Sequence, residues 1–594
     1  MTVCGAVLIF VSAFGCNSIQ TPACTADSMK YHIPEQKYGE RFWILSQPAT
    51  TGDDRIIDNL VAESLCGLYA LAVNEGRSRI MLWMETEPLP VYETTLANLP
   101  MKNMGHTDVW RFLARTAAKN VVAGYVLYDI SNQESINAAT VASHVYGGVM
   151  VEKRDRKRIE ELGYPLLCDV SAMSLADAWE QFGSRCSKTC LVLMPALTSN
   201  QRSTAISQRM MVVNLNKVSY KPDKGNNREL LLEILMGLEP LSPVFGWEQN
   251  VGEDSFVGLV SRTGNLMIPY DWTVNTPILW AEYRHRRSGR IRNTDVTKIK
   301  FGDAAHYMSF YMSDGDNVMW AMTGYDTEQY YGSPLTAKTK MSFGYPVINL
   351  SMMSPDRNAD LLSRQPRGGS LLENFGGGYY YADDFAELKD RKTILPQLAK
   401  YTAANMQQRD CNVLALVAGD VLSMPAQDAY KAFIQANNRL IGIVVIQYTP
   451  YAGGKGAVMW FKNAEGYDIP VITVRYSLWN YGEGRNGEVE GTPAYIAAKY
   501  TALVSEAAEP TFSITSVHAW SDFYRSDDSS DQTAENRKGG TVRGVGSAEL
   551  CMEKLPKNIK IVNIEELIWQ LRRQQFPCQV EQLINRNRQK GNAE

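Results

Sequence analysis

Apolar positions along the chain fall into two alternating patterns, one of short continuous or every-second-residue runs and one of helical spacing. Ile57, Leu60, Val61, Leu65, Leu68 and Ala72 recur at helical spacing after the turn Thr51–Asp54, which predicts a helix between a strand at Arg41–Ser46 and another at Arg79–Trp83. The alternation repeats with helices near Val109–Lys119 and Glu134–His144 and strands at Gly124–Ile130 and Gly147–Val151. Further on, a helix at Leu175–Phe182, strands at Thr189–Met194 and Met210–Asn214 and a helix at Asn227–Met236 precede a β-hairpin, expected at Phe256–Val260 and Leu266–Pro269 around Thr263-Gly264-Asn265. The clearest series comes last, with strands at His306–Ser313, Pro346–Met352, Asn412–Ala418, Gly442–Gln447, Pro470–Tyr476 and Thr511–Val517 separated by helices. Thr492-Pro493 and Asn563 with Glu566 supply helix starts. The chain therefore reads as α/β throughout. Residues 1–28 read as a signal peptide and linker, 29–160 as an N-terminal α/β domain and 161–300 as a middle α/β domain with a hairpin. Residues 301–594 read as a C-terminal distorted β/α barrel, with ligands at the carboxyl ends of its strands.

Composition narrows the function classes. With 45% hydrophobic and 21% charged residues and a formal net charge of -4, the 594 residues are ordinary for a globular protein and carry no basic footprint for nucleic acid. The apolar run Ala6–Phe14 has the length of a signal-peptide core, and Ala13-Phe14-Gly15-Cys16 resembles a lipobox. An exported protein is expected, periplasmic or held at the outer membrane, touching membrane only through a lipid on Cys16. Ten cysteines are too sparse for a disulfide scaffold. Cys186 and Cys190 could close a small loop in an oxidising compartment, but with no nearby histidine they make a poor zinc site.

Candidate chemistry concentrates in the barrel region. The strand HYMSFYMS runs into Asp314-Gly315-Asp316-Asn317, which places two carboxylates and an amide on one flexible turn. An EF-hand is disfavoured, because Tyr325 stands where the twelfth-position glutamate is needed. Downstream, Gly376-Gly377-Gly378 is followed by Tyr379, Tyr380, Tyr381, Ala382, Asp383 and Asp384, so that backbone can approach a ligand beside flat hydroxyl-bearing rings. Asp420, Trp479, His518 and Trp520 stand at the ends of further strands. No GxSxG elbow occurs, which disfavours serine hydrolase chemistry.

Gly376–Ala382 matches the motif GxGYxYP with Ala382 at the last position. The order MSDGDN, Tyr331-Gly332-Ser333-Pro334, the glycine-tyrosine loop, Ser516-Val517-His518-Ala519-Trp520 and EELIWQLRR resembles the GxGYxYP family of Bacteroidetes-type glycoside hydrolases or sugar-processing proteins across roughly half the chain. The resemblance implies an exported multidomain protein with a carbohydrate ligand. The expected function is glycoside hydrolysis with Asp316 and Asp420 as the working carboxylate pair and Asp314 in support. Asn317, Tyr379, Tyr381, Asp383, Trp479, His518 and Trp520 are the expected substrate contacts, with no cofactor or metal. Two alternatives are a metal-dependent carbohydrate deacetylase or hydrolase using Asp314, Asp316 and His518, and a sugar-binding lipoprotein without turnover. The sequence does not give the oligomeric state.

Overall fold

The helix Gly52–Asn74 shows how apolar content drives the architecture. It is long and apolar enough to cross a membrane, yet 83% of its most apolar window is buried inside the protein, where it packs on the helix Arg202–Ser207 and on the strands Ile80–Met84 and Gly148–Glu152. A helix apolar on every face is a core helix when other elements surround it. In the computed structural model the described residues are 33–46, 51–215, 227–281, 289–479, 488–506, 510–524 and 540–591. Cys16 and the expected signal peptide lie outside them.

Three small parallel sheets precede the large one. Arg41–Leu45 lies between Ile80–Met84 and Lys102–Thr107, and Gly124–Tyr128 lies between Gly148–Glu152 and Leu166–Asp169. The third sheet runs Leu266–Pro269, Pro243–Gly246, Leu191–Leu193, Met211–Val213. This order overturns the expected hairpin: Glu253–Arg262 is a helix, and Leu266–Pro269 pairs in parallel with Pro243–Gly246. Phe256, Val257, Leu259 and Val260 are all buried, and such i, i+1, i+3, i+4 spacing is helical, whereas the Gly-Asn turn made it look like alternation. Glu253 and Asp254 fall in its first turn, where the helix dipole favours acids.

The C-terminal region forms the expected distorted β/α barrel, a curled sheet whose parallel strands follow the order Asp468–Thr473, Gly442–Gln447, Val413–Ala418, Leu371–Asn374, Ser342–Tyr345, His306–Met312, Thr511–Val517, Tyr476–Leu478. The curl comes from one segment that changes neighbours. The Val474 N–H donates to Val445 O (3.0 Å) and the Arg475 N–H to Ile514 O (2.9 Å), so residues 468–478 pair at both margins of the sheet. Pro346–Met352, expected as a strand, belongs instead to the helix Val347–Met353, buried along its whole length. A short segment that is mostly apolar and buried on every side does not declare its period, and the true strand Ser342–Tyr345 is built of small and aromatic residues just before it. The other helix starts hold: Thr492 Oγ1 accepts from Tyr495 N (3.3 Å) and Asn563 Oδ1 from Glu566 N (2.9 Å). Cys186 and Cys190 are free, buried thiols.

Candidate active site

All seven residues of His306–Met312 are buried, so the strand runs through the barrel wall and must deliver its turn to the carboxyl-end face. Gly315 presses against the next strand: a Cβ there would lie 1.8 Å from Gly344 O. Only glycine permits that approach, and it fixes Asp314 and Asp316 on either side of the contact. Gly315→Ala is expected to destabilise the protein by about 3 kcal/mol, read by urea unfolding, because backbone rather than a flexible side chain would have to move.

Each acid is then held differently. Asp314 Oδ2 accepts from Ala519 N (3.1 Å), which arrives just after Thr511–Val517, the parallel neighbour of the first strand. Asp316 Oδ1 faces Asn374 Nδ2 (3.4 Å), and the same amide nitrogen donates to Ser313 O while its oxygen accepts from the Tyr311 hydroxyl, both at 2.5 Å. Asn317 Oδ1 caps the following helix by accepting from Trp320 N (2.9 Å).

Asp314 and Asp316 line a cavity of about 290 Å³ whose other wall comes from the third sheet. Trp247 follows the strand Pro243–Gly246, Glu253 opens the helix behind it, and Asp271 and Trp272 follow Leu266–Pro269. Tyr379, Tyr451 and Trp520 complete an aromatic surround. Trp272 and Trp520 are 63% and 42% exposed. Large indoles left open to water on a cavity wall are the flat surfaces that carbohydrate rings stack on.

The glycine-tyrosine loop joins the two walls. Tyr379 exchanges both main-chain hydrogen bonds with Met267 of the third sheet (2.7 and 3.1 Å), and Tyr381 bridges Val417 of the barrel. Gly378 lies so close to Leu266 that a Cβ would sit 2.6 Å from that side chain's Cβ. Gly376 and Gly377 take positive φ of 72° and 106°. The Gly377 N–H donates to Glu373 Oε1 (3.0 Å), whose other oxygen accepts from Ile348 N (3.0 Å). The Tyr379 hydroxyl donates to Glu253 Oε1, and its ring stacks on Trp247 and Phe375. The Ala382 N–H donates to Val417 O (2.8 Å), a bond that proline at this position cannot make. Ala382→Pro is therefore expected to lower unfolding free energy by about 1–3 kcal/mol, measured by denaturant titration, although it restores the motif.

The electrostatics raise three of the carboxyl groups of the cavity. Burial pushes Glu253 up to about 7, with the negative charge of Asp314 adding to the rise and the Tyr379 hydroxyl opposing it. Asp316 is raised well above the ordinary carboxylate range by burial first, then by the charges of Asp314 and Glu253. Asp271 is pushed up to about 6, again chiefly by burial.

Of the residues singled out in the sequence, Asp314, Asp316, Asn317, Tyr379 and Trp520 line the cavity. Asp420 does not: its carboxylate accepts from Leu422 N (2.9 Å), and its N–H donates to Asp383 Oδ2 (2.8 Å), so both acids are engaged in the turn after Val413–Ala418. Tyr381 packs behind Tyr379 and against Tyr448. His518 stacks face to face on Trp479 at 3.9 Å and bonds Ser521 through Nδ1, while Trp479 in turn meets Tyr451. This pair supports the wall from behind. Burial lowers the His518 pKa against the opposing charge of Asp314. Among the described residues no three His, Cys, Asp or Glu side chains converge to hold a metal ion, so Asp314, Asp316 and His518 do not form the ligand set considered above. Glu253, Asp271, Trp247, Trp272 and Asn374 were not anticipated. The signal for most of them was present, since each of the sequences Trp247-Glu248-Gln249 and Tyr270-Asp271-Trp272 follows an apolar run, but reading that region as a hairpin hid the strand ends.

Comparison with known proteins gives this geometry a context. Residues 304–526 match the GxGYxYP putative glycoside hydrolase C-terminal domain, and residues 188–279 match the GxGYxYP third domain, together more than half of the chain. The chain belongs to the GxGYxYP family. The two matched segments of this GxGYxYP protein are the two that meet at the cavity. Its fold is similar to that of a putative hydrolase from Bacteroides thetaiotaomicron, with a TM-score of 0.70 at 18% identity over 91% of this chain and 96% of that one. No curated protein matches the chain.

Proposed function

We propose that this GxGYxYP protein hydrolyses a glycosidic bond in the cavity between its barrel and its third domain. The observation that carries the proposal is the gathering of Asp314, Asp316 and Glu253 on one aromatic-walled cavity, with Asp314 acting as a charge that raises the other two. A carboxyl group raised toward neutrality, with a second carboxyl group on the same cavity, is what an acid paired with a base or nucleophile requires. Glu253, protonated near neutrality, gives its proton to the leaving oxygen as the bond to the anomeric carbon breaks. Asp314, oriented by the Ala519 N–H, attacks that carbon or takes a proton from the attacking water. Asp316 lines the same cavity beside the Asn374 amide, and Glu253 replaces Asp420 as a member of the working carboxylate pair.

The test is a hydrolysis screen on wild type beside Asp314→Asn and Glu253→Gln, with the anomeric configuration of the first-formed product followed by NMR. Retention assigns attack to Asp314, and inversion assigns it to a water that Asp314 activates. Wild-type cleavage unimpaired in both variants would remove the assignment, and sugar binding without turnover would favour the non-catalytic alternative.

A further inference from the structure

Beyond the acids assigned to bond cleavage, the cavity holds a carboxyl group that the proposed reaction does not use. Asp271 is only 6% exposed, follows a strand of the third sheet and accepts from Gln249 Nε2 (3.1 Å). Trp272, its chain neighbour, stands open to solvent on the same wall. Glu253, Asp271, Asp314 and Asp316 thus all face one space, and among the described residues no Lys, Arg or His lines it. A wall of this kind treats ligands unequally. Sugar hydroxyls donate to carboxylates, and Asp271 beside the Gln249 amide presents an acceptor next to an amide that can meet adjacent ring hydroxyls. A carboxylate or sulfate on the sugar would enter a partly desolvated site of its own sign with no cation to meet it.

We propose that Asp271, with Gln249 and Trp272, is the specificity-determining wall of this site, and that the site takes a sugar ring bearing no anionic substituent. The volume of about 290 Å³ sits at the lower end of small-molecule sites and suits a short glycan end better than a polymer groove. The inference rests on the hydrolytic reading for its kinetic form, but its binding form is independent of turnover.

The experiment uses the full chain with 4-nitrophenyl glycosides of neutral hexoses and of the corresponding uronic acids. Wild type is expected to favour the neutral glycoside by roughly 100-fold or more in kcat/KM at pH 7, since one unit charge near another at short range in a protein site is worth several tenfold steps. Asp271→Asn is expected to raise KM for the neutral glycoside about tenfold while kcat falls far less, and to shrink the discrimination against the uronide. A loss of kcat alone, or an unchanged ratio, would overturn the role of Asp271. Equal use of the uronide by wild type would overturn the charge rule. Should no glycoside be cleaved, the hydrolytic reading fails first, and saturation-transfer NMR with the neutral hexose and its uronic acid decides this one. Binding of the neutral sugar, weakened by Asp271→Asn, supports it; binding of the uronic acid as well, or of neither, overturns it.

Discussion

Asp314→Asn is expected to lower kcat by about a thousandfold with KM changed little, because the amide keeps the size of the side chain but can neither attack the anomeric carbon nor accept a proton from water. A second effect separates this from simple damage. The charge of Asp314 helps to raise both Glu253 and Asp316, so removing it lets the Glu253 pKa fall toward its ordinary value. The acid form is then lost at lower pH, and the alkaline limb of the residual activity moves to the acid side. A pH profile of kcat/KM checks this, and a drop in rate with an unmoved limb would count against direct coupling of the two groups.

Glu253→Gln should cost about 10²- to 10³-fold in kcat for substrates with a poor leaving group. Glutamine cannot supply the proton, so an activated aryl leaving group, which needs none, should recover most of the rate. In the wild type Glu253 is protonated below about 7 and ionised above it, so activity should fall as pH rises through that value. The variant should show no such limb. Were the limb to persist in Glu253→Gln, the proton donor would have to be sought at Asp316, whose carboxyl is also raised.

The two halves of this site were unequally legible in the sequence. The barrel half declared itself through Asp314-Gly315-Asp316-Asn317 after an apolar strand and through the triple glycine before Tyr379, because glycine marks the places where the backbone turns sharply or is approached closely. Asp420 looked equivalent by position, yet its carboxylate is drawn into capping the Leu422 N–H, a competition that sequence spacing does not reveal. The third-domain half was hidden by one misjudged period. Once Glu253–Arg262 is a helix rather than a strand, Pro243–Gly246 and Leu266–Pro269 become parallel neighbours, and the residues after them fall at strand carboxyl ends where parallel sheets gather ligands. His518 shows the opposite case. A histidine at a strand end suggested chemistry, but the packing uses it as a flat partner for Trp479.

The exchange of main-chain bonds between Tyr379 and Met267 makes the glycine-tyrosine loop a rivet between two sheets. Tyr379 fastens the seam a second time through its side chain, whose hydroxyl donates to Glu253 and whose ring stacks on Trp247. The two banks are thereby held in one register, and neither segment alone holds all the acids of the cavity.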